Sequence, residues 1–330
     1  MDYVGLVQKF ELNRELTEEE RANQLKQEQQ LDVVPIYELA VTRLNSGFLE
    51  SVDKFYGEKG FLTAVMLAIS GVVGVFFLVS TTAFLLVPYL SSASRLRLWL
   101  DPNSLQTQPN FAMAAFVAVL CIPLLLLATW GLLKESFAHT HYPIRLNRKN
   151  RTVYVFRFDG TVLTAKWDDL FFSLGRGARL SHKQEWDIRG HVLAADRKIV
   201  LETFVFSVHA DDQEFVRRHW EFLRRYMEDG PEDAAALVKI FIAVADKRES
   251  AKLSFYRTWA NMGFGTILGF VFLPLVLPQW LGRLFAMRTS KVPIWPPEVE
   301  AACAIEPGDL YERDERNNPA DMFSFFGRGA

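Results

Sequence analysis

The stretch FLTAVMLAISGVVGVFFLVSTTAFLLVPYL, from Phe61 to Leu90, carries no charged side chain over about thirty residues. A helix crossing the bilayer core needs roughly 20 mostly apolar residues, and 18 or more without charge already point to a span. A second uncharged run, Phe111 to Leu133, is built around Phe116, Leu120, Ile122, Leu124 to Leu127 and Trp130. Together the runs predict a transmembrane helical hairpin at 61–133 rather than two buried core helices. A signal sequence would begin at the N-terminus behind a short basic segment, whereas here about sixty polar and charged residues come first. The first run is longer than a straight span requires, and Pro88 interrupts its far end. A tilted helix, or one broken before Ser91, accommodates it.

The charges around the hairpin orient it. Lys134, Arg145, Arg148, Lys149 and Arg151 follow the second run and Arg43, Lys54 and Lys59 precede the first, against Arg95 and Arg97 in the connecting loop. The positive-inside rule then places both ends in the cytoplasm. The loop from Ser91 to Asn110 faces outward, with Trp99 able to lie at the interface. A chain of 330 residues with 23% charged residues has room for a large aqueous part beside the hairpin. Its net charge of −2 gives no argument for a nucleic-acid partner. The two cysteines, Cys121 and Cys303, build neither a disulfide framework nor a zinc site and fit a reducing compartment.

Outside the hairpin the periodicity divides the chain. Residues 1–60 predict a polar helical region, with Thr17 and Glu20 spaced as a capping box. Its second helix, from Ile36 toward Tyr56, carries the stripe Leu39, Val41, Leu44, Phe48 and Val52. After the hairpin the pattern changes to two-residue alternation. Thr152 to Phe158, Asp159-Gly160 and Thr161 to Trp167 read as strand, type I′ turn and strand. Ile144 to Leu146, Leu170 to Leu174, Glu185 to Leu193 and Ile199 to Val208 read as further strands.

From Asp211 an amphipathic helix follows, with Phe215, Val216, His219, Trp220, Leu223, Tyr226 and Met227 on one face. Arg217, Arg218, Arg224 and Arg225 lie on a solvated opposite face. The expectation is an α+β membrane protein: a hairpin plus a cytoplasmic antiparallel β-meander or barrel at 140–230, capped by a C-terminal helix in a pleckstrin-homology-like layout. An amphipathic helix at 231–257 leads to a third apolar segment at 258–282. That segment reads as a third span, or else as a re-entrant or interface-lying piece, and the two readings put the irregular tail 283–330 on opposite sides.

Few residues suggest chemistry. His139 and His141 have metal-chelating spacing on an extended strand, but no third ligand lies nearby, and solvated interface histidines are the simpler reading. Trp167-Asp168-Asp169 and Glu185-Trp186-Asp187 place carboxylates beside tryptophans, useful for acid–base work only if they meet in one pocket. No nucleophile elbow, zinc-protease motif, phosphate loop or dinucleotide fingerprint occurs, and no metal or other cofactor is implied. The basic run Arg145, Arg148, Lys149 and Arg151 lies close to the membrane. With Trp167 and Trp186 it forms the candidate surface for anionic lipid headgroups or a protein partner.

Tyr142 to Phe156, then Trp167-Asp168-Asp169, then Trp186 to His191 resemble an uncharacterised family of proteobacterial inner-membrane proteins, a domain of unknown function. The likeness covers the hairpin and the β domain. Genes of that family often lie near type VI secretion effector genes, so the resemblance implies an immunity or accessory role and carries no catalytic residues. The expected function is a non-enzymatic, multi-pass inner-membrane protein whose cytoplasmic domain binds a protein, a toxin or effector or a second copy of itself. A lipid-sensing or scaffold module is the first alternative. A membrane enzyme using Asp168, Asp187 or His191 is the second.

Overall fold

A computed structural model describes residues 10–86, 110–177, 184–262 and 271–321. The expected outward loop with Arg95, Arg97 and Trp99, the Pro88 break, and the terminal aromatic group from Met322 to Phe326 lie outside the described residues.

The N-terminal segment contains β1 (Arg14–Glu15), α1 (Glu18–Ala22) and β2 (Gln24–Leu25). The Thr17/Glu20 capping box is present, but it opens a helix of five residues, not a long one. The helix expected from Ile36 to Tyr56 is replaced by β3 (Val41–Leu44) and β4 (Phe48–Ser51), which pair antiparallel. The Asn45 side-chain oxygen accepts from the Gly47 and Phe48 backbone N–H groups, both at 2.8 Å. This Asx turn folds the chain back between the apolar residues that otherwise read as one helical stripe.

The apolar hairpin follows as α2 (Phe61–Thr81), continued by a π-helical turn to Leu86, and α3 (Phe111–Glu135). Only 6% of the apolar window of the first and 22% of that of the second is buried within the chain. Then come β5 (Ile144–Asn147), β6 (Thr152–Phe156), β7 (Val162–Lys166), β8 (Phe171–Arg176), β9 (Trp186–Leu193) and β10 (Ile199–Ala210). The β6–β7 turn differs in type from the expectation. Among Asp159 and Gly160 only Gly160 has a positive φ, 83°. Gly160 N–H donates to the Arg157 carbonyl, and Arg157 N–H to the Thr161 carbonyl. This is a three-residue loop with a left-handed glycine, not a type I′ turn, which needs two positive φ angles.

The strands form two antiparallel sheets, β3-β4-β5-β6-β7 and β1-β10-β9-β8-β2. Ser51 pairs with Ile144 and Phe48 with Asn147, so β4 and β5 are neighbours and the whole hairpin is inserted into their connection. Both sheets share an apolar core closed by α4 (Gln213–Glu228), which buries Val216, Trp220, Leu223, Tyr226 and Met227. Trp220 stacks on Trp167 at 5.6 Å and 14° between planes, and Phe172 packs against both rings.

The arginine face of α4 is not uniformly solvated. Arg224 is buried, paired with Glu221 at 2.9 Å and Asp229 at 2.8 Å. The segment before β3 lies along this face, with Leu31 N–H on Glu221 and Ile36 N–H on the Arg218 carbonyl.

The single helix expected at 231–257 is interrupted. After α5 (Glu232–Leu237) the run Val238 to Val244 leaves helical geometry, and Ile242 N–H reaches the Val41 carbonyl. Its β-branched and aromatic residues, Val238, Ile240, Phe241, Ile242 and Val244, are all buried, which an extended segment permits on both faces. Two helices reach into the apolar segment 258–282, α6 (Ala251–Met262) at its start and α7 (Leu273–Thr289) at its end. Asn261 donates to the Gly57 carbonyl, and Arg283 donates to the carbonyls of Tyr56, Gly57 and Lys59. Both described ends of the segment thus contact the turn that precedes α2.

The tail, expected to be irregular, packs along the first sheet. Lys291 bridges to His139, and α8 (Pro297–Ala302) belongs to a cluster in which Trp295, Val299 and Cys303 cover Phe48, Tyr154 and Phe156. Arg313 exchanges backbone hydrogen bonds with Leu44.

Candidate functional site at the root of the apolar hairpin

The two apolar helices are fastened to the β domain by charges at their bases. Glu135, at the end of α3, accepts from the backbone N–H groups of Gly60 (2.8 Å) and Thr63 (2.6 Å) and from the Thr63 hydroxyl (2.6 Å). It thereby caps the first turn of α2, where unpaired N–H groups favour an anion. Lys59 donates to the carbonyls of Glu135 and His139, at 2.9 and 2.8 Å. Burial pulls its ammonium down to about 8.

On the other side Arg283 forms a two-point pair with Glu249 (3.0 and 2.8 Å), and the Tyr56 hydroxyl donates to the same carboxylate at 2.9 Å. Helix α7 crosses the start of α2 so closely that a Cβ on Gly60 (φ 99°) would lie 2.2 Å from Arg283 Cα, and one on Gly282 2.5 Å from the Gly60 carbonyl. Glycine is required at both positions for this contact.

Beside this root opens a polar cleft of about 410 Å³, lined by Glu38, Asp53, Lys54, Glu58, Ser207, His209, Arg257 and Asn261 among others. Most of its charges have partners. Lys54 pairs with buried Asp187 at 2.9 Å, and His209 with Glu58 at 3.3 Å. Asp53 accepts from the N–H groups of Phe55 (3.0 Å) and Tyr142 (2.8 Å), while burial raises its pKa. Arg257 differs. Its guanidinium lies 5.8 Å from the Tyr56 ring centroid, its Nε is buried with no hydrogen-bond partner, and it forms no salt bridge among the described residues. The Ser207 hydroxyl is likewise buried without a partner.

The residues singled out from the sequence do not assemble into one surface. Arg145 is fully buried, held by Glu50 (2.9 and 2.7 Å) and Glu300 (3.2 Å) between the rings of Phe48 and Trp295. It is out of reach of a headgroup. Arg148 donates to the Ser46 carbonyl, Lys149 pairs with Glu306, and Arg151 with Asp168 and Glu228. Trp167 is a core residue whose indole N–H donates to Glu228 at 2.7 Å. Trp186 is half-buried under the Arg176 guanidinium at 5.5 Å.

His141 is buried rather than solvated, and burial pushes it down to about 4. His139 is only partly covered and packs edge-on against Tyr142 and Phe156. Asp187 and His191 share one face of β9 but have separate partners, Lys54 and Arg189 for the first, Ser173 and Thr203 for the second. Asp168 lies apart, exposed, on Arg151. Among the described residues no group of three metal-ligating side chains converges.

Sequence reasoning missed Lys59, Glu135, Glu249, Arg283, Ser207 and Arg257. A lysine and a glutamate bracketing the apolar runs were visible signals for the root, and so was the arginine within the apolar α7. Nothing in sequence separates Arg257 from an ordinary flanking charge.

An antiparallel β domain carrying an apolar helical hairpin between two paired strands, with a tail returning over its sheet, is the class this architecture defines. The chain belongs to the family of unknown function DUF6708, whose model matches residues 118–307, from the second apolar helix into the tail. No curated protein matches the chain, and no solved structure does.

Proposed function

We propose that this chain is a multi-pass inner-membrane protein without catalytic activity, whose cytoplasmic, pleckstrin-homology-like β domain binds another protein. The observation that carries the membrane reading is the exposure of α2 and α3. A core helix of a soluble protein would be mostly covered, whereas these bury 6% and 22% of their apolar windows. Leaving so much apolar surface in water is costly at about 25 cal/mol per Å², and a bilayer removes the cost. Within the β domain, β7 is an edge strand, open to pairing with a partner's extended segment. The immunity or accessory role toward a type VI secretion effector rests on the family resemblance. The scattered placement of Asp168, Asp187 and His191 favours binding over catalysis.

Two experiments test this reading. The full-length protein should stay with membranes through alkaline carbonate extraction, and release into the supernatant would end the membrane assignment. Co-expression with effectors encoded beside it should protect cells from one of them, and unchanged killing by all of them would end the immunity assignment.

A further inference from the structure

We propose that the cleft between Lys54–Glu58, Ser207–His209 and Arg257–Asn261 binds a zwitterionic phosphoethanolamine headgroup, presented by a membrane lipid. Arg257 is the charge left over in this cleft. A guanidinium without a carboxylate or carbonyl partner, in the same cleft as a hydroxyl without a partner, is a costly arrangement in a partly dehydrated site unless a ligand completes it. A phosphate group supplies acceptor oxygens of the kind that both the Arg257 guanidinium and the Ser207 hydroxyl lack.

The remaining lining decides the rest of the ligand. Glu38, Asp53 and Glu58 face Lys54 and Arg257, and Lys54 is further neutralised by Asp187. The cleft thus has no cationic excess for a doubly charged anion, but it offers carboxylates for an ammonium within the same cavity. A group carrying both charges matches it. Its location matches too, because Gly57 and Glu58 immediately precede the apolar α2 and Asn261 lies at the end of α6. The cavity of about 410 Å³ is of the size of small-ligand sites. The inference rests on the membrane placement proposed above, which carbonate extraction tests separately.

The test uses the full-length protein in detergent, with native mass spectrometry and thermal shift as readouts. The probes are short-chain phosphatidylethanolamine, phosphatidylcholine and phosphatidylglycerol, with free glycerophosphoethanolamine and inorganic phosphate alongside. Phosphatidylethanolamine should bind best, because the quaternary ammonium of phosphatidylcholine has no N–H to donate and phosphatidylglycerol has no cation. Arg257→Gln should weaken that binding about tenfold or more, the loss of a hydrogen bond to a charged group, and Ser207→Ala should weaken it less.

Equal occupancy by the three lipids in the wild-type protein would overturn the proposal, and this comparison needs no variant to fold. Unchanged phosphatidylethanolamine binding by a folded Arg257→Gln protein would overturn it as well. Binding of glycerophosphoethanolamine as tight as that of the lipid would support the headgroup chemistry and assign the source to a soluble compound. Binding of inorganic phosphate alone at that strength would refute the zwitterionic assignment.

Discussion

Arg145 and Arg257 are both largely withdrawn from water, yet one is surrounded by acceptors and aromatic rings and the other has a single ring beneath it. Around Arg145 the first sheet supplies Glu50 and Phe48, and the tail supplies Glu300 and Trp295, whose indole N–H also donates to Glu50 at 2.9 Å. Around Arg257, Lys54 and Glu58 are paired with Asp187 and His209, and Glu38 accepts the Leu39 backbone N–H. Arg145 keeps one buried nitrogen, Nη1, without a hydrogen-bond partner, but two carboxylates neutralise its charge, and a buried charge paired in this way is a structural element, since its removal leaves an uncompensated partner. A buried charge with no carboxylate paired to it is the one left open to a ligand. The basic run next to the hairpin is therefore mainly architecture, and the charge available for binding lies in the cleft at the hairpin root.

The largest effect expected from breaking this contrast is at the carboxylate-paired Arg145. Arg145→Ala, or Glu50→Ala, should destabilise the protein by about 3–5 kcal/mol, read as a lowered midpoint of thermal unfolding in detergent. A change within a few tenths of that of a surface substitution would show that the tail and sheet do not depend on the pair. Next comes the root itself. Glu135→Ala strands the N–H groups of Gly60 and Thr63, and a cost of about 3 kcal/mol follows from unsatisfied buried donors. Glu135→Gln, which keeps an acceptor oxygen, should recover part of it.

Acid sharpens the comparison further. His141 is buried just ahead of β5 with its ring edge-on to Tyr56, and its folded-state pKa, about 4, is below the ordinary 6.5. A buried neutral histidine resists protonation while the unfolded chain accepts the proton, so its contribution is intact above pH 6.5. It is lost progressively as pH falls toward 4, about 3 kcal/mol in total. His141→Phe should flatten the stability profile in that window, and an unaltered slope would place the histidine in water. Smallest is Lys149→Ala. Lys149 and Glu306 are both substantially exposed, and a surface pair contributes less than about 1 kcal/mol.

Much of the fold was legible because its signals are local. The alternation from Thr152 to Trp167 and the amphipathic pattern after Asp211 each belong to a single element, and both elements are present. The hairpin was legible from length and missing charge alone. What escaped depends on distant partners. The residues of β3 and β4 satisfy a helical stripe as readily as a folded strand pair, and pairing with β5 across the inserted hairpin decides between them. Val238 to Val244 left helical geometry because it is buried on both sides, which no periodicity within the segment announces.

The candidate site was less legible still. Arg145 looks like a flanking positive charge until Glu50, Glu300 and two aromatic rings close on it from remote parts of the chain. Arg257 looks the same in sequence, and only the absence of such closure distinguishes it.

One side-by-side measurement tests that distinction most directly. Phosphatidylethanolamine binding to the full-length protein is compared between Arg257→Gln and a triple variant, Arg148→Gln with Lys149→Gln and Arg151→Gln, both checked for folding by thermal unfolding. The account predicts that Arg257→Gln loses binding while the triple variant keeps it within about twofold. Retained binding in Arg257→Gln together with loss in the triple variant would contradict it and return the lipid contact to the basic run.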